Sequence, residues 1–258
     1  MNSQSINISD EQVKQIATEL VNREYMQVTP TAELPQQTNL LRETPQTIHK
    51  LGKDVVNWVM PPEISIVEQS PSLMTLAQRL FLWSFIYGTA PKRYLEIGTD
   101  AGGSAMIVMS AIKALGVDDF HGVCIDPELR LNQTTRDYLG EYFTYIQGKN
   151  SPEIMIEAAK ISGLFDLILI DGDHTYDYAL MDIMMAIPYV CRGGYLLIDD
   201  AAHSQVRDAI SYVIENSQLI DCGFMCRHSV SSEVKIPSGR WQGEEYRVGG
   251  LYLLRKPL

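Results

Sequence analysis

Residues 93–104 read RYLEIGTDAGGS, and this stretch decides the fold. It combines a short apolar run with a glycine-rich turn, and the apolar segment 104–115 that follows has helical character. A strand that turns into a helix in this way is the first unit of a parallel α/β sheet. Gly98 permits the tight turn, and Gly102 and Gly103 let a ligand approach a backbone that carries no Cβ. The glycine spacing is not the dinucleotide fingerprint, and a purely structural turn is the alternative interpretation.

Strand-like and helix-like segments alternate from residue 93 onward, which predicts a Rossmann-like, doubly wound α/β sheet. The last two strands lack a helix between them and are expected to pair antiparallel, giving seven strands, mostly parallel, with one antiparallel edge strand. The predicted strands are Tyr94 to Gly98, His121 to Asp126, Tyr145 to Gly148, Leu167 to Asp171, Tyr195 to Asp199, Cys222 to His228 and Leu251 to Arg255. The predicted helices are Ser104 to Leu115, Thr134 to Tyr142, Pro152 to Ile161, Tyr178 to Pro188 and His203 to Asn216.

The first third of the chain has a different pattern, so we divide the chain into a helical extension, residues 1–90, and an α/β domain, residues 91–258. Helical spacing follows a capping box that begins at Ser9, and it recurs from Ile48 to Trp58 and from Ser72 to Tyr87. The extension is expected to form a lid, a contact in a homo-oligomer, or a cover for the sheet.

Composition narrows the choice of partner and compartment. The net charge of -11 argues against a nucleic-acid backbone or an anionic membrane surface as the principal partner. The four cysteines show no zinc-ligand spacing and are expected to be free thiols, as in a reducing cytoplasm. The first residues lack signal-peptide character, and the longest apolar stretch, Leu76 to Tyr87, is too short to span a membrane. We therefore expect a cytoplasmic protein.

Acidic residues close two of the predicted strands. Asp171 follows one apolar run, and Asp199 and Asp200 follow the next. Because parallel strands present their carboxyl ends at one edge of a sheet, these carboxylates are expected to meet there and to favour a hard cation. The alternative is that each caps the helix that follows it. Asp173 is either a fourth acid or such a cap.

Three further residues lie near these strand ends. Asp126 ends the second strand, where an acid can accept hydrogen bonds from ribose hydroxyls, although a solvated strand-end aspartate is common. His174 follows Asp171 by three residues and can accept a proton near neutral pH; the alternative is a histidine that hydrogen-bonds a loop. His203 is a weaker candidate, because it is expected to open the next helix.

Four motifs occur in a characteristic order: Glu-Ile-Gly-Thr-x-x-Gly-x-Ser from residue 96, Ile-Asp-Pro from 125, Ile-Asp-Gly-Asp-His from 170 and Ile-Asp-Asp from 198. Together they resemble the class I S-adenosylmethionine-dependent methyltransferases over roughly residues 93–205. More narrowly, they resemble the metal-dependent O-methyltransferases of the catechol type and of the macrolide-sugar and cephalosporin-hydroxylase-like branch. The Asp-Asp pair, where the catechol type has Asp-Asn, favours the macrolide-sugar side.

The resemblance implies a set of site residues. The methionine half of the cofactor would meet the first motif, the ribose would meet Asp126, and the adenine would lie near Gly148. Three acids would bind Mg²⁺ or another divalent cation, and the position of His174 is that of the catalytic base. The implied cofactor contacts are Glu96, Gly98, Gly102, Ser104, Asp126, Asn150, Ser151 and Asp171, and the implied metal ligands are Asp171, Asp199 and Asp200.

The expected activity is therefore S-adenosylmethionine-dependent, metal-assisted O-methylation of a hydroxylated small molecule, such as a natural-product intermediate of secondary metabolism. A divalent cation would lower the pKa of the acceptor hydroxyl and orient it. A catalytically silent cofactor-binding or assembly subunit, or a different, hydroxylase-like reaction on the same scaffold, is the alternative. The polar stretch 229–249, with Arg240, Trp241 and Tyr246, is expected to be a long loop that shapes the acceptor pocket or simply covers the surface.

Overall fold

The structure is a computed structural model that describes residues 62–258. The helices predicted after Ser9 and from Ile48 to Trp58 therefore lie outside the described residues, and the domain boundary at residue 90 stays a prediction. No helix within residues 62–258 is both long enough and apolar enough to cross a membrane. The four cysteines are free thiols; three are buried and Cys191 is partly exposed.

Helices and strands alternate from β1 to β5, as the sequence predicts. The helices are α1 (Ile66–Gln69), α2 (Leu76–Thr89), α3 (Gly103–Leu115), α4 (Gln133–Leu139), α5 (Pro152–Ser162), α6 (Tyr176–Ala186) and α7 (Ser204–Asn216). The strands are β1 (Arg93–Ile97), β2 (His121–Asp126), β3 (Phe143–Gln147), β4 (Phe165–Ile170), β5 (Val190–Ile198), β6 (Ile220–Lys235) and β7 (Glu245–Arg255).

The strands form one seven-stranded sheet in the order β3-β2-β1-β4-β5-β7-β6. Strands β1 to β5 are parallel, and β7 runs antiparallel to both β5 and β6. The predicted Rossmann-like sheet with one reversed strand is therefore confirmed. The reversed strand lies one place inside the edge, because β6 hydrogen-bonds to its outer side.

Strand β4 shows why the sheet is covered on both faces. Its side chains alternate between two apolar clusters: Leu167 and Leu169 lie in the cluster with α2 and α3, and Ile168 and Ile170 lie in the cluster with α5, α6 and α7. Both faces of the central strands are buried, as is usual for a parallel sheet between helix layers. This layering directs ligands to the carboxyl ends of the strands.

Helix α2 begins later than its apolar pattern predicts, at Leu76 instead of Ser72. A capping box sets the start: the Thr75 hydroxyl accepts from the backbone N–H of Gln78, and the Gln78 side chain accepts from the backbone N–H of Thr75 at 2.9 Å. Residues 71–75, up to and including the cap Thr75, form a strap that lies outside any helix or strand. Because α2 packs in the core, the strap is held next to the strand ends.

The predicted long loop after β6 is wrong over most of its length. Strands β6 and β7 continue as a hairpin arm to Lys235 and from Glu245, and only residues 236–244 connect them. The arm carries polar side chains on exposed positions, because it extends past the helix layers that cover the sheet. Because neither face of the arm is buried, its sequence lacks the alternation of apolar and polar residues that predicts a strand.

Candidate active site

A cavity of about 650 Å³ lies at the carboxyl ends of β1, β2, β4 and β5. This is where an open α/β sheet binds ligands. The strap forms one wall, and the turn after β1 lies beneath it. Predicted site residues that line the cavity are Gly98, Ser104, Asp126, Gly148, Asn150, Asp171, His174, Asp199 and Asp200.

The turn after β1 is packed tightly against the turn after β4. Gly98 has φ +90°, and a Cβ built on it would lie 1.9 Å from the backbone oxygen of Asp171. The backbone N–H of Asp171 donates to the oxygen of Ile97 at 2.8 Å, and the N–H of Gly98 donates to the oxygen of Ile125 at 2.9 Å. Glycine at position 98 is therefore required to bring Asp171 to the cavity floor.

The strap passes over the start of α3. A Cβ on Gly103 would lie 2.1 Å from the backbone nitrogen of Ser72. Pro71, Leu73 and Met74 line the cavity with Ser72. The strap therefore covers the cavity above the glycine-rich turn. Because Gly103 has no Cβ, the backbone of the strap can pass close to it.

Asp126 organises the polar end of the cavity. Its two carboxylate oxygens accept backbone N–H bonds from Asp100 at 2.8 Å and from Glu128 at 2.7 Å. Each carboxylate oxygen has a second lone pair, so the side chain can still accept from a hydroxyl. The position fits the ribose contact that the sequence predicts.

A buried polar pair lies beside Asp126 in the cavity wall. The side-chain amide of Asn150 donates to Asp182 Oδ1 at 2.9 Å, and Asn150 Oδ1 is buried with no protein partner. Burial raises the pKa of Asp182 to about 6, and the bond from Asn150 opposes that shift. Asn150 thus presents an unpaired acceptor at the end of the cavity where the sequence predicts the adenine.

Two carboxylates and one imidazole form a compact cluster at the other end. His174 Nε2 lies 2.8 Å from Asp200 Oδ2 and 3.7 Å from Asp171 Oδ1. One donor atom from each of the three residues lies within 4.8 Å of the other two. Asp200 has φ +53°, and its Oδ1 accepts from the backbone N–H of Gly249. This cluster is the candidate metal centre.

Asp199 lies beside the cluster but has other partners. Its Oδ1 accepts from the side-chain amide of Gln78 and from the backbone N–H of Asp200, the latter at 2.7 Å. Gln78 is fully buried and comes from α2. The sequence predicts Asp199 as a metal ligand; the structure places it in the cavity wall, with one oxygen already engaged.

The cluster concentrates negative charge. Burial raises the pKa of Asp171, and the charge of Asp200 adds to that shift. Burial and the charges of both neighbours raise the pKa of Asp199 as well. Burial alone would lower the pKa of His174, but the neighbouring carboxylates of Asp171 and Asp200 raise it to about 11. A bound cation would compensate the same carboxylates and oppose this rise in the pKa of His174.

Three predicted cofactor contacts do not line the cavity. Glu96 is fully buried beneath it, where it accepts from the Ser104 hydroxyl at 2.5 Å and from the Tyr94 hydroxyl at 2.6 Å. Gly102 precedes α3 as its N-terminal cap, and the Ser151 side chain caps α5. All three shape the backbone around the cavity, so their predicted contact with the cofactor stays a prediction.

The burial of Glu96 has a consequence for stability. Burial raises its pKa to about 8, although the bonds from Ser104 and Tyr94 oppose the shift. Since the folded pKa lies above the unfolded one, Glu96 contributes stability that is fully present below about pH 4.5 and is lost as the pH rises through about 8. Relative to Glu96→Gln, the wild type should lose a few kcal/mol of unfolding free energy between pH 5 and pH 8.5 in urea titrations. A constant difference between the two proteins would contradict this expectation.

The sequence does not reveal several residues that build the site. Gln78 and Asp182 lie on helices and carry no motif. The Gly249-Gly250 pair does carry a signal, because glycine inside a strand often marks a close backbone approach. Here a Cβ on Gly250 would lie 2.8 Å from the backbone nitrogen of Ala202, next to the turn that holds Asp200.

The cavity has an apolar mouth. Leu73 on the strap is 84 % exposed and Val248 on β7 is 43 % exposed, and both line the cavity. Val230 pairs with Val248 across the hairpin arm and is 54 % exposed. Val248 directly precedes Gly249, whose N–H binds Asp200. An apolar body bound at this mouth would lie beside the carboxylates.

Part of the chain matches a known family model. Residues 95–201, less than half of this chain, match the family model of a methyltransferase domain. The fold of this chain is that of the S-adenosylmethionine-dependent O-methyltransferases.

Solved structures show the same architecture at low identity. The O-methyltransferase TomG from Streptomyces achromogenes, solved with S-adenosylmethionine, is 17% identical and has a TM-score of 0.52, and the alignment covers 76% of this chain and 90% of TomG. The O-methyltransferase from Bacillus cereus, solved with SAH, is 13% identical with a TM-score of 0.54, and the alignment covers 81% of this chain and 97% of that protein.

A viral protein is similar in sequence to part of this chain. An uncharacterized protein of Acanthamoeba polyphaga mimivirus is 27% identical over 133 residues. That match covers 48% of this chain and spans 60% of the length of the viral protein.

Proposed function

We propose that this chain transfers the methyl group of S-adenosylmethionine to a hydroxyl oxygen of a small molecule, assisted by Mg²⁺ or another divalent cation. The observation that carries the proposal is the cluster of Asp171, His174 and Asp200 in the wall of the cavity that Gly98 and Asp126 also line. Cofactor and cation would then meet in one cavity. Because carboxylate oxygens and imidazole nitrogen are ordinary ligands of divalent metals, the donor set fits such an ion.

The chemistry needs an activated acceptor. The acceptor oxygen attacks the methyl carbon, the carbon–sulfur bond breaks, S-adenosylhomocysteine leaves, and the hydroxyl proton passes to a base or to water. Asp171, His174 and Asp200 could hold a cation, which would lower the pKa of the acceptor hydroxyl and orient its oxygen. The protein orients both reactants: the turn at Gly98 and the carboxylate of Asp126 receive the cofactor, and the strap excludes water above it. His174 is the base that the sequence predicts, and it lies beside the same carboxylates.

The apolar mouth supports an acceptor with an apolar body. Leu73 and Val248 would pack against that body while its hydroxyl group faces Asp200. TomG is described as taking part in tomaymycin synthesis. By analogy with that relative, we propose a hydroxylated natural-product intermediate as the acceptor class.

Metal removal tests the proposal directly. The purified protein should form S-adenosylhomocysteine from S-adenosylmethionine with members of a panel of catechols, phenols and hydroxylated sugars. Excess EDTA should lower the rate at least 100-fold, because the cation is expected to contribute several kcal/mol to the transition state. Added Mg²⁺ or Mn²⁺ should restore the rate. Full turnover in EDTA would contradict the metal requirement, and retained cofactor binding without turnover of any panel member would contradict the proposed acceptor class.

A further inference from the structure

Three donor atoms are spaced as neighbours around one ion. In an octahedron with ligands at about 2.1 Å, adjacent donor atoms lie about 3 Å apart and opposite ones about 4.2 Å apart. The distances from His174 Nε2 to Asp200 Oδ2 and to Asp171 Oδ1, 2.8 Å and 3.7 Å, fall within or close to this range. Each of the three residues offers one donor atom that lies within 4.8 Å of those of the other two. One cation can therefore contact all of them with little movement.

Asp199 is held by a different network. The backbone N–H and the hydroxyl of Thr75 both donate to Gln78 Oε1, at 2.9 Å and 2.8 Å. Since the oxygen end of the amide is thereby fixed, its NH₂ end must point to Asp199 Oδ1. The same oxygen accepts from the backbone N–H of Asp200 at 2.7 Å. Oδ1 of Asp199 is thus occupied by two donors.

The strap that precedes Gln78 is fixed as well. The Arg79 guanidinium donates to a set of backbone oxygens along the strap and the short helix before it. These oxygens belong to Val67, Glu68, Ser70, Ser72 and Met74. Because the strap cannot shift without breaking several of these bonds, it keeps Gln78 in place to donate to Asp199.

We propose that His174, through Nε2, is the third protein ligand of the cation beside Asp171 and Asp200. Asp199 is a positioning residue, because its Oδ1 accepts from the backbone N–H of Asp200 and from the Gln78 side chain. This inference rests on the proposed function, because it assumes that the cation binds at this cluster. It departs from the sequence-based set, in which the three acids are the ligands.

Two consequences follow from a nitrogen ligand. Mg²⁺ prefers oxygen ligands, whereas Mn²⁺ and Co²⁺ also accept imidazole, so Mn²⁺ and Co²⁺ should bind more tightly than Mg²⁺. A coordinated Nε2 also has no free lone pair, so His174 does not accept the proton of the acceptor, which then passes to water or another group.

Pulsed electron paramagnetic resonance of bound Mn²⁺ tests the ligand set without measuring activity. The full chain, saturated with S-adenosylhomocysteine, should show ¹⁴N coupling to Mn²⁺. His174→Ala should lose that coupling and weaken Mn²⁺ binding at least about 100-fold, the upper end of what removing a residue behind the ligands typically costs. Asp199→Asn, which keeps an oxygen for Gln78 and Asp200, should keep the coupling and an affinity within about threefold of the wild type.

The outcomes separate this inference from the proposed function. Bound Mn²⁺ without ¹⁴N coupling, or coupling that persists in His174→Ala, would overturn the inference and leave the metal-assisted reaction standing. An Asp199→Asn variant that loses Mn²⁺ as fully as His174→Ala would show that Asp199 is a ligand and would overturn its positioning role. Failure of the wild type to bind Mn²⁺ would overturn both. Binding of S-adenosylhomocysteine, measured on each variant by calorimetry, reports whether the fold is intact.

Discussion

Asp171→Ala should lower kcat/KM about 1,000-fold, because it removes a carboxylate from the proposed cation site. The cation is expected to contribute several kcal/mol to transition-state stabilisation, and each 1.4 kcal/mol corresponds to a factor of ten. The backbone at this position should stay in place, since the N–H of Asp171 donates to the oxygen of Ile97 at 2.8 Å and needs no side chain. Affinity for S-adenosylhomocysteine should therefore change far less than turnover.

The matched control is Asp177→Ala. Asp177 is an exposed aspartate in the first turn of α6, six residues further along, and it does not line the cavity. Removing it should cost only a fraction of a kcal/mol in helix stability and leave turnover within about twofold. An Asp171→Ala enzyme that retained a tenth of the wild-type kcat/KM at saturating cofactor would show that the carboxylate is dispensable and would refute its role at the cation.

The strand ends could be predicted because two signals coincide there. Strand β2 has its predicted bounds, since an apolar run meets an acid and then proline at Asp126 and Pro127. Strand β4 ends one residue before the predicted Asp171. Because parallel strands place their carboxyl ends at one edge of the sheet, acids at the ends of several strands predict a ligand site at that edge.

The remaining parts of the site depend on contacts far apart in sequence. Gln78 meets Asp199 across 121 residues, and no local pattern marks Gln78. The contact of Glu96 with the cofactor stays a prediction. The sequence does not show that the Glu96 carboxylate accepts from the hydroxyls of Tyr94 and Ser104. His174 was predicted as a base from its position in a motif. Only the spatial arrangement shows that Asp200 lies 2.8 Å from its Nε2.

Gly98→Ala should destabilise the fold by about 2–5 kcal/mol, the sum of two separate costs. A non-glycine residue in the left-handed region costs about 1–2 kcal/mol, and overpacking costs about 1–3 kcal/mol more. The overpacking arises because the new Cβ would lie 1.9 Å from the backbone oxygen of Asp171, and backbone cannot yield as a side chain can. For a chain of this size, the melting temperature should fall by roughly 4–20 °C.

Gly116→Ala separates the two costs. Gly116 has φ +64°, but a Cβ there meets nothing within 4 Å, so only the backbone cost of about 1–2 kcal/mol should appear. Urea unfolding of both variants gives the difference, which measures the contact between the turn after β1 and the turn after β4. Because that contact sets the position of Asp171, Gly98→Ala should also weaken Mn²⁺ binding under conditions where it remains folded, whereas Gly116→Ala should not. Equal destabilisation by the two substitutions would mean that the two turns are not packed against each other. The turn after β1 would then not position the carboxylate of Asp171.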